Sequence, residues 1–316
     1  MQIDDFIKSM YMICDDPPIK ITNLFPTEKF NVPGMFNIDI DVKDIFSHYV
    51  FPRLIEYGGK KTMIFDSCHY YIYNQMLVNF CAFMDSLRSS QNDMNNPRAK
   101  LAMKNITDAF YYFLLVKFQT SPEEAFPFAY EYYLRTRKYL TFEPPSDAKL
   151  HYLFYYHYCI FHELQHYRYH AGADLSREKK HIRYVMKLTD DRYGSGGVPD
   201  VDKELVEAHI AEELLCDAHA YTTSASFISN IGIKDYSNEK IYTKCAESCL
   251  MLNFFNSLLV FMHNSFSDLY SLGSRNEAQI TEQRERRWSM LNSRRYYFEL
   301  VLFGEVNKCT SQANQQ

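Results

Sequence analysis

The segment "CIFHELQHYRYH", Cys159 to His170, sets two histidines four residues apart with a glutamate directly after the first. On an α-helix, residues four apart lie about 40° apart around the axis and about 6 Å along it. His162 and His166 therefore project from one face and can share one tetrahedral ion. Zinc is the usual ion for two such imidazoles. Glu163 is turned about 100° from His162, too far round to join the coordination easily but able to reach water at the ion. Two ligands and a base on one helix are what metal-assisted hydrolysis requires. The competing interpretation is three polar residues on a solvated helix face. The flanks weigh against it, because "YYHYCIF" precedes the motif and Tyr167 follows it. Polar groups in so apolar a segment are costly to bury unless paired or metal-bound.

Two histidines need a third ligand. His170 follows His166 by four residues, but His162 and His170 are about 12 Å apart along a straight helix, so all three cannot bind one ion. His170 suits instead a cation at the helix C-terminus. The segment "EAHIAEELLCDAHAY", Glu207 to Tyr221, offers a better partner, since Glu213 and Asp217 form an ExxxD pair on one helical face. Glu207, His209, Glu212 and Asp217 remain open as alternatives, competing with a plain acidic surface. Cys216 has no evident base beside it and is expected to pack against the HExxH helix.

HExxH on one helix followed by ExxxD on a later one resembles the gluzincin class of zinc peptidases. The resemblance spans roughly His151 to Phe227. It implies a Zn2+ cofactor held by His162, His166 and Glu213, with Glu163 as general base. It also implies that Asp217 hydrogen-bonds a ligand histidine and fixes its tautomer. The metzincin extension is absent, since Tyr169 and Gly172 stand where glycine and histidine would be required. In length and motif position the chain is similar to Lit-like phage-exclusion peptidases of bacteria, which implies a protein or peptide substrate and a part in phage defence. Some intracellular HExxH enzymes return an arginine to the site through an HPxxxxR-like segment. Here Thr281 and Glu282 replace its His-Pro, so Arg287 is either a substrate contact or part of a basic helix face. With His209 and Tyr221 it completes the candidates for steadying an oxyanion.

These residues need a scaffold. The chain has 316 residues, 47% hydrophobic and 23% charged, a globular composition with 26 tyrosines and 24 phenylalanines for an aromatic core. Its net charge of −5 provides no general attraction for nucleic acid or an anionic membrane. Eight scattered cysteines without a CxxC pair, and no apolar signal region in "MQIDDFIKSM", predict free thiols in a reducing cytoplasm. Cys245 and Cys249 are expected to be small buried residues. The apolar run "CLMLNFFNSLLVFMH", Cys249 to His263, is shorter than the roughly 20 residues that span a bilayer and predicts a buried helix.

Ten glycines and little alternation predict a mainly α (α+β) fold, a helical zincin-like catalytic core with a small N-terminal β-sheet. The expected division is an α+β region over 1–95 and a helical core over 96–316, with one continuous domain as the alternative. Met35–Val42 and Lys61–Ser67 are expected strands, with "FPTEKFNVPG" and "YGGK" as turns. Helices are expected over 69–87, 105–118 and 148–170, from a capping box at "SPEE" (Ser121–Glu124), and from near Asp202 past His219. "SSQNDMNNPR" and "EPPSD" separate them. A long connection over 171–201 contains "GSGGVP", which lacks a following GK[ST] and so has no phosphate-binding role. Two other functions fit the same sequence: a helical binding or regulatory protein with a structural or degenerate metal site, and a zinc hydrolase for a small molecule.

Overall fold

Among the described residues a sheet comes first, and helices follow it. The computed structural model describes residues 29–31, 39–45, 52–119, 122–138, 147–170, 172, 175–193, 203–233, 236–270, 298–308 and 311. The sheet contains β1 (Lys29–Asn31), β2 (Asp39–Ile45), β3 (Arg53–Tyr57) and β4 (Lys60–Asp66), in the order β1-β2-β4-β3. β2 and β4 are parallel, and the other two pairings are antiparallel. β3 and β4 form a hairpin closed by Gly58 and Gly59, whose φ values of 58° and 76° suit a two-residue turn matched to strand twist. β4 has neighbours on both edges, and Met63, Ile64 and Phe65 are all buried.

Among the described residues, three helices follow the sheet in the first compact unit, Met1–Ala148. They are α1 (Ser67–Ser89), α2 (Pro97–Lys117) and α3 (Pro122–Lys138). Asn96 caps α2 by accepting from the backbone N–H groups of Arg98 and Ala99, with Pro97 in the first turn where its missing N–H costs nothing. Val78 and Ala82 of α1 pack on Ala102 of α2. Asn105 donates to Asn79 across the same pair at 2.9 Å.

The second unit, Lys149–Gln316, carries the motifs. Its helices are α4 (Ala148–His170), α5 (Ser176–Tyr193), α6 (Lys203–Ile231), α7 (Asn238–Tyr270) and α8 (298–308). α4 is buried nearly all round, with Leu150, Phe154, Tyr155, Tyr158, Phe161 and Leu164 inside. Such burial marks an interior helix rather than a surface one. α6 packs against α5 and α7 and places small residues, Ala211, Ala220 and Ala225, at buried positions.

The protein is mainly helical with a small N-terminal sheet, as its composition predicts. Several details differ from the sequence expectation. The expected boundary at 95/96 falls inside the first unit, because α1 and α2 pack together across the polar linker. β1 lies within a stretch expected to be turn, and β3 was not expected. α2 starts eight residues before the expected helix at Asn105, where Pro97 and the Asn96 cap set the boundary. The expected connection 171–201 contains α5, a strongly charged helix with Ile182 as a buried anchor. The apolar run of Cys249–His263 lies within the longer α7. There Cys249, Leu252, Phe255 and Leu259 are buried, while Leu250 and Phe254 are exposed. By length and composition alone, Asn238–Met262 is long and apolar enough to cross a membrane, and 33% of its most apolar window is buried within the protein. Residues 1–28, 143–146, the loop 194–199, Thr281, Glu282 and Arg287, and 312–316 lie outside the described residues.

Candidate metal centre

α4 and α6 bring their motifs together. His166 Nε2 lies 3.2 Å from His162 Nε2. Glu213 reaches both rings, with one oxygen 3.4 Å from His166 Nε2 and the other 3.6 Å from His162 Nε2. A tetrahedral ion with bonds of about 2.0–2.1 Å has ligand–ligand edges of about 3.3–3.4 Å, and each of these spacings is close to one such edge, with Glu213 turning a different oxygen to each ring. All three residues are only partly buried, which leaves the fourth side open. His162, His166 and Glu213 are thus a set that can hold a metal.

The outer ring nitrogens are also attended. Asp217 Oδ1 stands 3.0 Å from His162 Nδ1. The distance suits a hydrogen bond, but the N–H is poorly aligned with the oxygen, and Nδ1 has no well-directed partner. Glu212 accepts from His166 Nδ1 at 2.9 Å and lies 3.2 Å from His170 Nε2. Carboxylates on Nδ1 hold the proton there and leave each Nε2 lone pair for an ion.

The electrostatics ask for a cation. Burial disfavours a charge on His166, but the Cys216 thiol and the Glu213 carboxylate outweigh it and raise the imidazole to about 11. Cys216 is fully buried against His166, and burial pushes its thiol up to about 11, so it is a packing thiol and not a nucleophile. Cys245 and Cys249 are likewise fully buried.

A hydrogen-bonded chain from α4 and α7 supports Asp217. Tyr158 Oη donates to Asp217 Oδ1 at 2.6 Å, and Asn253 Nδ2 of α7 donates to Tyr158 Oη at 3.0 Å. Tyr158 and Asp217 are both buried. Neither Tyr158 nor Asn253 was expected from the sequence. Tyr158 did leave a trace, since Tyr158, His162, His166 and His170 recur every four residues along one ridge of α4. Asn253 left none, being 95 residues away from Tyr158. Tyr158→Phe removes the donor that fixes Asp217, and the metal affinity is expected to fall about 10–100-fold. Competition against a chromogenic chelator measures this, with circular dichroism as the control for folding.

The remaining candidates divide. Tyr221 is corrected: it is fully buried and its hydroxyl donates to the Tyr242 carbonyl at 3.1 Å, so it cannot steady an oxyanion at the ion. Glu212, an alternative third ligand, takes the outer nitrogen of His166 instead. His170 sits at the helix end, exposed and beside Glu212. Glu163 is partly exposed on α4, next to His162. The side chains of Glu207 and His209, and all of Arg287, lie outside the described residues. Comparisons with protein-family models, curated proteins and solved structures find no match to this chain.

Proposed function

We propose that this protein is a zinc-dependent peptidase that hydrolyses a peptide bond in a protein or peptide substrate. One observation carries the proposal: two imidazole nitrogens 3.2 Å apart on one helix meet the two oxygens of a carboxylate from another, at 3.4 Å and 3.6 Å, beside a glutamate that follows the first ligand. Two imidazoles and one carboxylate with an open fourth position are the donor set of a catalytic rather than a structural zinc. Zinc held by His162, His166 and Glu213 would polarise a carbonyl and lower the pKa of water to about 7.

The chain's own residues supply the proton traffic. Glu163 takes a proton from the attacking water as its oxygen bonds to the carbonyl carbon. It returns that proton to the amine as the C–N bond breaks, so the glutamate ends the cycle as it began. Glu212 keeps the His166 Nδ1 proton in place, Asp217 stands 3.0 Å from His162 Nδ1, and Tyr158 with Asn253 keeps Asp217 in place. The part-exposed site suits a substrate that approaches from solvent.

Elemental analysis and a peptide-library digest test the proposal together. One zinc per chain is expected, with cleavage that stops on chelation and returns on adding zinc. A folded protein that binds no zinc at micromolar concentration sinks it. Stoichiometric zinc with no cleavage of any peptide moves it to a structural site.

A further inference from the structure

We propose that His166, His170 and Glu212 form a second, weaker seat for a divalent zinc ion, an alternative to the seat made by His162, His166 and Glu213. The inference rests on the inner three residues holding zinc, and not on any cleavage. His166 and His170 stand four residues apart at the end of α4, so their rings are neighbours along one ridge. Glu212 Oε1 lies 2.9 Å from His166 Nδ1 and 3.2 Å from His170 Nε2, so a single carboxylate oxygen meets both imidazoles. One nitrogen from each ring and one oxygen of Glu212 all fall within 4.8 Å of one another. Two imidazoles and a carboxylate repeat the donor chemistry of the inner seat and suit the same ion.

The two seats share His166 but use opposite nitrogens. The inner one takes Nε2 and the outer one takes Nδ1. A neutral imidazole has one ring lone pair, because its other nitrogen carries the proton. His166 therefore serves one seat at a time. With the ion inside, the proton is on Nδ1 and faces Glu212. With the ion outside, Nδ1 is the ligand and the proton is on Nε2. A change of seat takes one proton from one ring nitrogen to water and returns one from water to the other, with no net gain or loss. The outer seat is the weaker because the His170 side chain is 69% exposed, against 15% for His162 and for Glu213. An exposed side chain gives up more rotamer freedom when an ion fixes it.

Zinc titration of the metal-free full chain against a chromogenic chelator tests the proposal, with circular dichroism as the control for folding. The wild type should bind one zinc per chain, and His170→Ala should leave that affinity unchanged. His162→Ala/Glu213→Ala removes two inner donors and keeps the outer three. It should still bind one zinc, more weakly, and adding His170→Ala should weaken that binding about tenfold or more. Long-range proton–nitrogen spectra of the imidazoles identify the ligating atom. Zinc should sit on His166 Nε2 in the wild type and on His166 Nδ1 in the double variant. Glu213→Ala alone leaves two inner donors against three outer ones and should show the same switch, which covers a double variant that fails to fold. Two zinc ions per wild-type chain, a folded double variant that binds none, equal binding after His170→Ala is added to it, or zinc on Nε2 in the variants overturns the proposal. A wild-type chain that takes up no zinc removes the inner seat and the peptidase reading, while the double variant still reads the outer seat by itself.

Discussion

Glu163→Gln is expected to keep its zinc and lose turnover by about 10²–10⁴-fold. Glutamine occupies the same volume and cannot take a proton. Glu163 is not among the three donors whose atoms converge, so the ion loses none of them. The measurement is a paired one, zinc per chain by elemental analysis and initial rate on a peptide found in the library digest. Retained zinc with an unchanged rate removes Glu163 from the reaction. Lost zinc would instead place Glu163 in the ligand set, and the three-residue set described above would then be the wrong one.

Glu213→Ala has the opposite signature. It should lose metal and activity together while the helices stay folded, because Glu213 is only partly buried and its removal opens no core cavity. Four-ligand zinc sites are worth about 10–16 kcal/mol, so one ligand of four is worth roughly 3 kcal/mol, or a hundredfold and more in affinity. Glu212→Ala provides the comparison. Its carboxylate sits on the outer nitrogen of His166, so the loss should be nearer tenfold. A chelator competition series on both variants reads the difference. Equal losses would mean that the two neighbouring glutamates exchange roles. No loss for Glu213→Ala would show that the third ligand lies elsewhere.

Much of the centre was legible before any coordinates. The HExxH helix was expected over 148–170, and α4 spans Ala148–His170. The ExxxD pair lies on the next long helix but one, as its spacing allowed. Glu213 does face both imidazoles, although 47 residues separate it from His166. The misses have physical causes. α5 was missed because most of its residues are charged or polar and fit a surface connection, although Ile182, Val185 and Met186 do recur with a helical period. β1 was hidden by its length of three residues among turn-forming neighbours. Tyr221 looked available because sequence position reveals nothing of depth, and it proved fully buried.

The amino-acid sequence by itself determined what each helix presents on its own face. It put His162 and His166 on one side of α4 and Glu213 and Asp217 on one side of α6. The period of the helix fixes those angles without help from the rest of the chain. Only the tertiary structure decided how the two faces meet. The rotation and separation of α4 and α6 assign Glu213 to the inner nitrogens, Glu212 and Asp217 to the outer ones, and Tyr158 with Asn253 behind them. No local period encodes those choices, because they arise from the packing of side chains far apart in the chain, where a turn of about 100° exchanges one glutamate for its neighbour.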